Sequence, residues 1–175
     1  MQTRWENIGR VIDSISRWTG WFAGILLIPL TIVVFYSAVM RKVTSNPDWA
    51  FEVSIFIYGT AIVLAGAEVL RKNEHVSVDI LPRLLGEYPR KVLMIIITVF
   101  IIIVAIVIMG EGIQSAWQST LIGERSSQQT TFRPPIWWFR WVFPIATALL
   151  ILQSIRKLGD QIVYFNKDKE DLNAA

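Results

Sequence analysis

The residues that could take part in chemistry are ionisable side chains that flank long apolar segments. The only histidine stands in the sequence Glu74-His75-Val76-Ser77-Val78-Asp79. A lone histidine beside an acid is usually a hydrogen-bonded structural residue. His75 and Asp79 also supply too few ligands for a metal ion. We therefore predict neither a catalytic nor a metal-binding role for this segment.

Several classes of membrane protein are excluded by what the sequence lacks. The chain has no cysteine and one histidine. A membrane thiol oxidase needs paired cysteines, a bis-histidine haem anchor needs two axial ligands, and a metalloprotease needs a cluster such as His-Glu-x-x-His. A proton-coupled exporter would need a carboxylate deep in a span, and none is present. The sequence thus predicts no enzyme, and no catalytic, cofactor-binding or metal-binding residues.

The composition indicates which elements position these side chains. Hydrophobic residues make up 53% of the 175 residues and charged residues 18%, whereas soluble domains carry about 25% charge. A transmembrane helix needs about 20 apolar residues, and four windows qualify: 18–40, 49–70, 92–111 and 136–156. We therefore predict an all-α integral membrane protein that forms a single membrane domain over 1–175.

Two amphipathic stretches accompany the spans. Apolar residues recur at helical spacing over 4–17, which predicts a helix on the membrane surface, and again over 80–90, which predicts a short interfacial helix between spans two and three. Residues 165–175 form a polar tail. Lys and Arg concentrate on the segments that precede span one, join spans two and three, and follow span four, so both termini are predicted to lie inside. We interpret the net charge of +3 as part of this enrichment of Lys and Arg on the inner segments. No segment carries a dense basic cluster, so no nucleic-acid partner is expected.

Charged and small residues at the span edges suggest packing contacts. Glu52 and Glu68 lie near opposite ends of the second span, and Arg140 lies one turn into the fourth. If these two spans are neighbours, Glu52 and Arg140 meet at the same level, and we hypothesise an ion pair. Gly59 and Gly66 share one side of the second span with Glu52, and Ala61 and Ala65 share another side with Glu68. This helix is therefore expected to pack on two sides.

Several motifs carry a resemblance to a known family. The stretch Trp49-x-x-Glu52, the small-residue segment from Gly59 to Ala67 and the motif Leu70-Arg71-x-x-x-His75-Val76-x-Val78-Asp79-x-Leu81 resemble the small, four-span membrane subunit of tripartite ATP-independent periplasmic (TRAP) transporters. Gly123-Glu124 and Pro134-Pro135-Ile136-Trp137-Trp138 are similar to that family's last loop and last helix. One departure is Phe51, which stands where the family often has the first Glu of a pair and leaves Glu52 alone.

The resemblance implies a function and partners. Such systems import organic anions, carboxylates and sometimes sulfonates, across the bacterial inner membrane in a sodium-coupled manner. A periplasmic binding protein captures the substrate, a large membrane subunit binds substrate and sodium, and the small subunit is a scaffold that holds no cofactor. The expected partners are thus the large subunit, the binding protein and phospholipid.

Three groups of site residues are expected on this basis. The large-subunit interface or structural group comprises Glu52, Gly59, Gly66, Glu68, His75, Asp79 and Arg140. The lipid head-group set comprises Arg71, Lys72, Arg83, Arg90 and Lys91. The binding-protein docking set comprises Arg41, Lys42, Asp48, Glu124, Arg125 and Arg133.

A stand-alone four-helix carrier or channel is the alternative. It would need polar residues along a shared path, and the third span offers only Thr98 in its core.

Overall fold

Four long helices make up the protein. The computed structural model describes residues 2–43, 47–72, 87–128 and 132–174. The helices are α1 (Gln2–Val43), α2 (Asp48–Arg71), α3 (Glu87–Leu121) and α4 (Trp137–Ala174). Each contains a segment long and apolar enough to cross a membrane: Asn7–Val43, Asp48–Arg71, Pro89–Leu121 and Trp137–Val163. The prediction of an all-α protein with four candidate spans is confirmed.

The helices extend beyond the predicted spans. At 42 residues, α1 is about 60 Å long and continuous through Pro29, so residues 4–17 are its first part and not a separate surface helix. Helix α4 likewise continues through most of the predicted polar tail. Most of the predicted interfacial helix at 80–90 lies outside the described residues, and 87–90 belong to α3.

The helices pack in the order α1, α2, α4, α3. Helices α1 and α2 are antiparallel, as are α3 and α4, whereas α2 and α4 are parallel neighbours, and α1 also contacts α4. Within the described residues, no Cα atom of α2 lies within 8 Å of a Cα atom of α3. Helix α2 therefore packs on two sides, as its small residues predicted.

The interior contains small and polar side chains. Buried apolar residues are almost all alanines, and the buried polar ones include Ser16, Thr98, Gln153 and Ser154. Large apolar side chains such as Trp18, Trp21 and Phe35 are exposed. This distribution suits a lipid solvent, where small residues allow the close approach of helix backbones.

The bundle has two ends. The terminal end is where the first part of α1, the last turn of α2, the first turns of α3 and residues 153–161 of α4 meet around one cavity. The loop end is opposite: α1 ends and α2 begins there, and residues 122–136 connect α3 to α4.

Candidate functional site

A buried polar link joins α1 to α4 at the terminal end. The Ser16 hydroxyl donates a 2.8 Å hydrogen bond to Gln153 Oε1, and Gln153 Nε2 donates a 3.0 Å bond to Asp13 Oδ1. Ser16 is 1% exposed and Gln153 3%. We did not predict this link from the sequence. The amide of Gln153 within an apolar span is the feature that could have indicated it. Both hydrogen-bonding functions of the amide are used to hold two helices together.

A basic cavity of about 470 Å³ lies next to this link, and all four helices line it. Its cationic side chains are Arg71, Arg90, Lys91, Arg156 and Lys157, and its carboxylates are Asp13 and Asp160. Arg156 is ion-paired with Asp160. The side chain of Arg156 also lies against Gly9 of α1, where any Cβ would overlap it. The cavity is therefore a cationic space formed by close packing of the helix ends.

Glu68 is fixed at the contact between α1 and α2. Arg71 Nε and Nη2 each donate a 2.7 Å hydrogen bond to one of its two oxygens, and Lys72 Nζ lies 3.9 Å away. A Cβ at Gly20 would lie only 2.5 Å from Glu68 Cγ. The backbone of α1 thus approaches Glu68 at a distance that only glycine permits.

The structure brings three of the predicted lipid head-group residues together. Arg71, Arg90 and Lys91 all line the basic cavity, whereas the exposed Lys72 caps the C-terminus of α2 and Arg83 lies outside the described residues. Arg156 and Lys157 join the cavity although they are distant in sequence. Their position at the end of span four is the feature of the sequence that could have placed them near the other cationic residues.

An apolar interhelical groove of about 300 Å³ separates α2 from α3. Val63 and Gly66 line it from α2, Phe100 to Ile108 supply its α3 wall, and Ala146 to Leu150 of α4 complete it. A Cβ at Gly66 would meet no other atom within 4 Å, so this glycine opens space in the groove and makes no close helix contact.

Arg140 anchors the loop end. Its Nη1 donates to Ser115 Oγ and its Nη2 to Glu124 Oε1, both at 2.6 Å. The loop is closed by backbone hydrogen bonds from Ser126 N to Pro134 O and from Ile136 N to Glu124 O, each 2.9 Å. The loop following α3 is thus joined to α4 by the Arg140–Glu124 ion pair, and the two backbone hydrogen bonds hold the ends of the loop together.

These contacts replace the ion pair hypothesised between Glu52 and Arg140. Gly59 packs on the ring of Phe139, since a Cβ there would lie 2.7 Å from Phe139 Cζ. Arg140 lines a cavity with Gly59 and Val63. Gly59, the nearer of these two α2 residues to Glu52, lies seven residues along the helix from it, or about 10 Å. Glu52 itself is 2% exposed.

The aromatic cluster that opens α4 has two surroundings. Phe56 of α2 contacts both Trp138 and Phe139, with ring centroids 5.4 and 5.1 Å apart. Trp137 is exposed, whereas the ring of Phe143 lies against Gly112 of α3. The cluster therefore packs α4 against both α2 and α3.

The predicted docking residues that the structure describes all lie at the loop end. Arg41 and Lys42 are exposed in the last turn of α1, and Asp48 is in the first turn of α2. Arg125 and Arg133 are exposed in the closed loop. The backbone of Arg125 forms an isolated antiparallel β-bridge with that of Pro135, and Arg133 has a left-handed φ of 33°. Of the predicted interface residues, His75 and Asp79 lie outside the described residues.

The described side chains offer no group of three His, Asp or Glu residues that could hold a metal ion. Some polar groups of the spans join two helices, as Ser16 and Gln153 do, and others bond to a carbonyl of their own helix, as Ser154 does.

One family matches the chain over most of its length. Its description is the DctQ component of the tripartite ATP-independent periplasmic transporters, and the match covers residues 30–163. The matched segment includes parts of all four helices. A comparison with curated proteins gives no match.

Proposed function

Because the chain belongs to the DctQ component family of tripartite ATP-independent periplasmic transporters, we propose that it is the scaffold subunit of a sodium-coupled importer of organic anions. The family makes it a small, multi-pass membrane subunit of a transporter. Beyond that, the proposal places it in the bacterial inner membrane with both termini inside. A large membrane subunit would bind sodium and the substrate, and a periplasmic binding protein would deliver the substrate.

One face of α1 carries the scaffold proposal. We call it the α1 stripe, and its members are Trp18, Trp21, Ile25, Ile28, Ile32, Phe35 and Val39. They follow at alternating spacings of three and four, and their exposure ranges from 43% to 77%. Such spacing is typical of a helix–helix seam. The stripe is about 30 Å long, which is the thickness of the hydrocarbon core.

A groove beside the α1 stripe supports a helix of the large subunit as its partner. This groove of about 370 Å³ lies between α1 and α2, and its lining includes Gly20, Gly24, Trp21 and Ile28. A Cβ at Gly24 would meet no other atom within 4 Å. Small residues beside large apolar ones allow a second helix to approach closely in lipid. We therefore propose that the large subunit packs against α1 and α2.

The polar side chains of the spans favour a scaffold over a stand-alone carrier. Thr98 donates a 3.0 Å hydrogen bond to Gln161, just as Ser16 bonds to Gln153 and Arg140 to Ser115. Each bond joins two helices. A carrier would direct such groups toward a shared path, whereas here they brace the bundle.

The closed loop supports a docking role at the opposite end. It carries the exposed Arg125 and Arg133, and Arg41 and Lys42 are exposed at the same end of the bundle. One side of its base is held to α4 by the Arg140–Glu124 ion pair. Exposed cationic side chains beside this base suit electrostatic recognition of a soluble partner, and we propose that they contact the binding protein.

Filling the α1 groove tests the scaffold proposal. The variant Gly24→Leu places a large side chain in the groove, and Gly110→Leu is its matched control, because a Cβ at Gly110 also meets nothing within 4 Å. With the large subunit tagged, we expect Gly24→Leu to lower co-purification of this chain about tenfold or more and Gly110→Leu to leave it near the wild-type level. Equal recovery of Gly24→Leu and wild type would remove the large subunit from this face.

A further inference from the structure

Three cavities lie in series between α2 and α3. At the terminal end is the basic cavity, lined by Leu70 and Met94 among others. The apolar interhelical groove follows, with Gly66 one turn of α2 beyond Leu70. The third cavity, of about 360 Å³, shares Val63 with that groove and reaches Arg140 near the loop end. Three separate cavities thus follow one another along α4 in the space between the two helices, and the second and third share lining residues.

The chemistry of this space changes sharply along its length. Five cationic side chains and two carboxylates line the basic cavity, so cations remain in excess even when Glu68, the partner of Arg71, is added. The interhelical groove is lined by apolar residues apart from Thr147, whose hydroxyl bonds to the Phe143 carbonyl within its own helix. An occupant that fits both parts is anionic at one end and apolar over the adjoining segment.

We propose that an anionic phospholipid intercalates between α2 and α3, with its phosphate in the basic cavity and an acyl chain in the interhelical groove. The volumes of the two spaces, about 470 and 300 Å³, fall in the range of small-molecule sites. A free phosphate would occupy only the cationic part. A partner helix, which is 10–12 Å across with its side chains, would have to carry a carboxylate at the level of the basic cavity.

The bound lipid would have a structural consequence. Since α2 and α3 have no Cα atoms within 8 Å of each other in the described residues, the lipid would join two helices that are bridged there by α4. Phospholipid would thus be an integral part of the bundle at this position and not merely its solvent.

Native mass spectrometry of the purified full-length chain tests the head-group contact. The protein is titrated with dioleoyl phosphatidylglycerol, and the double variant Arg90→Gln/Lys157→Gln is compared with Lys42→Gln/Arg133→Gln at the loop end. One cationic side chain near a membrane surface contributes about a fivefold change in affinity for an anionic lipid. We expect binding to the first double variant to weaken roughly 20-fold and binding to the second to stay at the wild-type level. Equal weakening in both, or in neither, overturns the proposal.

A second pair of variants tests the acyl chain. Gly66→Leu fills the interhelical groove, whereas Gly110→Leu on α3 adds the same side chain where a Cβ also meets no atom within 4 Å. We expect only Gly66→Leu to release the lipid, with excess inorganic phosphate failing to compete. Displacement of the lipid by phosphate, together with unchanged binding to Gly66→Leu, would identify a free-anion site and contradict the proposal.

A cross-linking experiment in the complex distinguishes a lipid from a partner helix. The chain has no cysteine of its own, so Val104→Cys places a single thiol in the interhelical groove. A maleimide–benzophenone label attached to this thiol is irradiated in the complex, and we expect it to cross-link to phospholipid. Efficient cross-linking to the large subunit instead would identify a protein occupant and overturn the proposal.

Discussion

The hydroxyl of Ser16 in α1 and the side-chain amide of Gln153 in α4 form a buried 2.8 Å hydrogen bond between the first and last helices of the bundle. The same amide donates to Asp13. Because α1 otherwise packs mainly on α2, this link fixes the direction in which α1 leaves the bundle. It therefore contributes to the orientation of the α1 stripe, the face that we propose contacts the large subunit.

Replacing Gln153 by Leu should destabilise the bundle. The substitution leaves Ser16 and Asp13 without this partner, and hydrogen bonds between membrane helices contribute about 0.6 kcal/mol on average and up to about 2 kcal/mol. We expect a loss of about 1 kcal/mol, measured by denaturant unfolding in mixed micelles. The exposed Gln114→Leu on α3 is the control. Equal stability of the two variants would show that the link carries no net free energy.

Arg140 should be coupled energetically to Glu124 and not to Glu52. The Arg140–Glu124 distance is 2.6 Å, and both side chains are partly exposed, so solvent reduces their interaction. We expect a double-mutant cycle with Arg140→Gln and Glu124→Gln to give about 0.5–1 kcal/mol. The same cycle with Glu52→Gln should give nearly zero. A larger coupling to Glu52 would restore the ion pair suggested by the sequence.

Alanine at Gly20 should separate α1 from α2, whereas alanine at Gly24 should not. A Cβ at Gly20 would lie 2.6 Å from Glu68 Cβ and 2.5 Å from its Cγ, whereas one at Gly24 meets nothing within 4 Å. Overpacking of this kind costs about 1–3 kcal/mol. The two variants are compared by thermal unfolding in the same detergent. If Gly20→Ala is as stable as Gly24→Ala, the two helices are not closely packed at this point.

Charge reversal in the closed loop should weaken docking of the binding protein. We expect the double variant Arg125→Glu/Arg133→Glu to lower the affinity of the assembled membrane complex for its binding protein about tenfold or more, mainly through the association rate. Surface plasmon resonance at two ionic strengths measures this, because added salt should reduce the difference. Arg10→Glu near the opposite end is the control. Unchanged association of the double variant would remove the loop from the docking surface.

The sequence predicts the four spans well and the contacts between them less well. An apolar window of about 20 residues is sufficient to identify a span, and the small residues of α2 indicate its packing on two sides, although Gly66 lines the interhelical groove and makes no close helix contact. The axial register between two neighbouring helices cannot be deduced from the sequence of either helix alone. For that reason Arg140 was assigned to the level of Glu52, whereas the packing of Gly59 on Phe139 sets it about 10 Å away.

Helix ends were missed for a related reason. Arg17 marks where charge meets an apolar segment, which indicates a membrane edge. It does not break the backbone hydrogen bonding of a helix, and α1 passes through it without interruption. The buried role of Gln153 also depends on α1 lying beside α4, and no pattern within α4 specifies that neighbour.

Sodium-driven uptake into proteoliposomes tests the central claim, that this chain is a scaffold and not the translocating subunit. The chain is reconstituted alone and together with the large subunit, each with the binding protein and a radiolabelled organic anion supplied outside. We expect sodium-dependent uptake for the two membrane subunits together and none above empty liposomes for this chain alone. Substrate accumulation by this chain alone would contradict it.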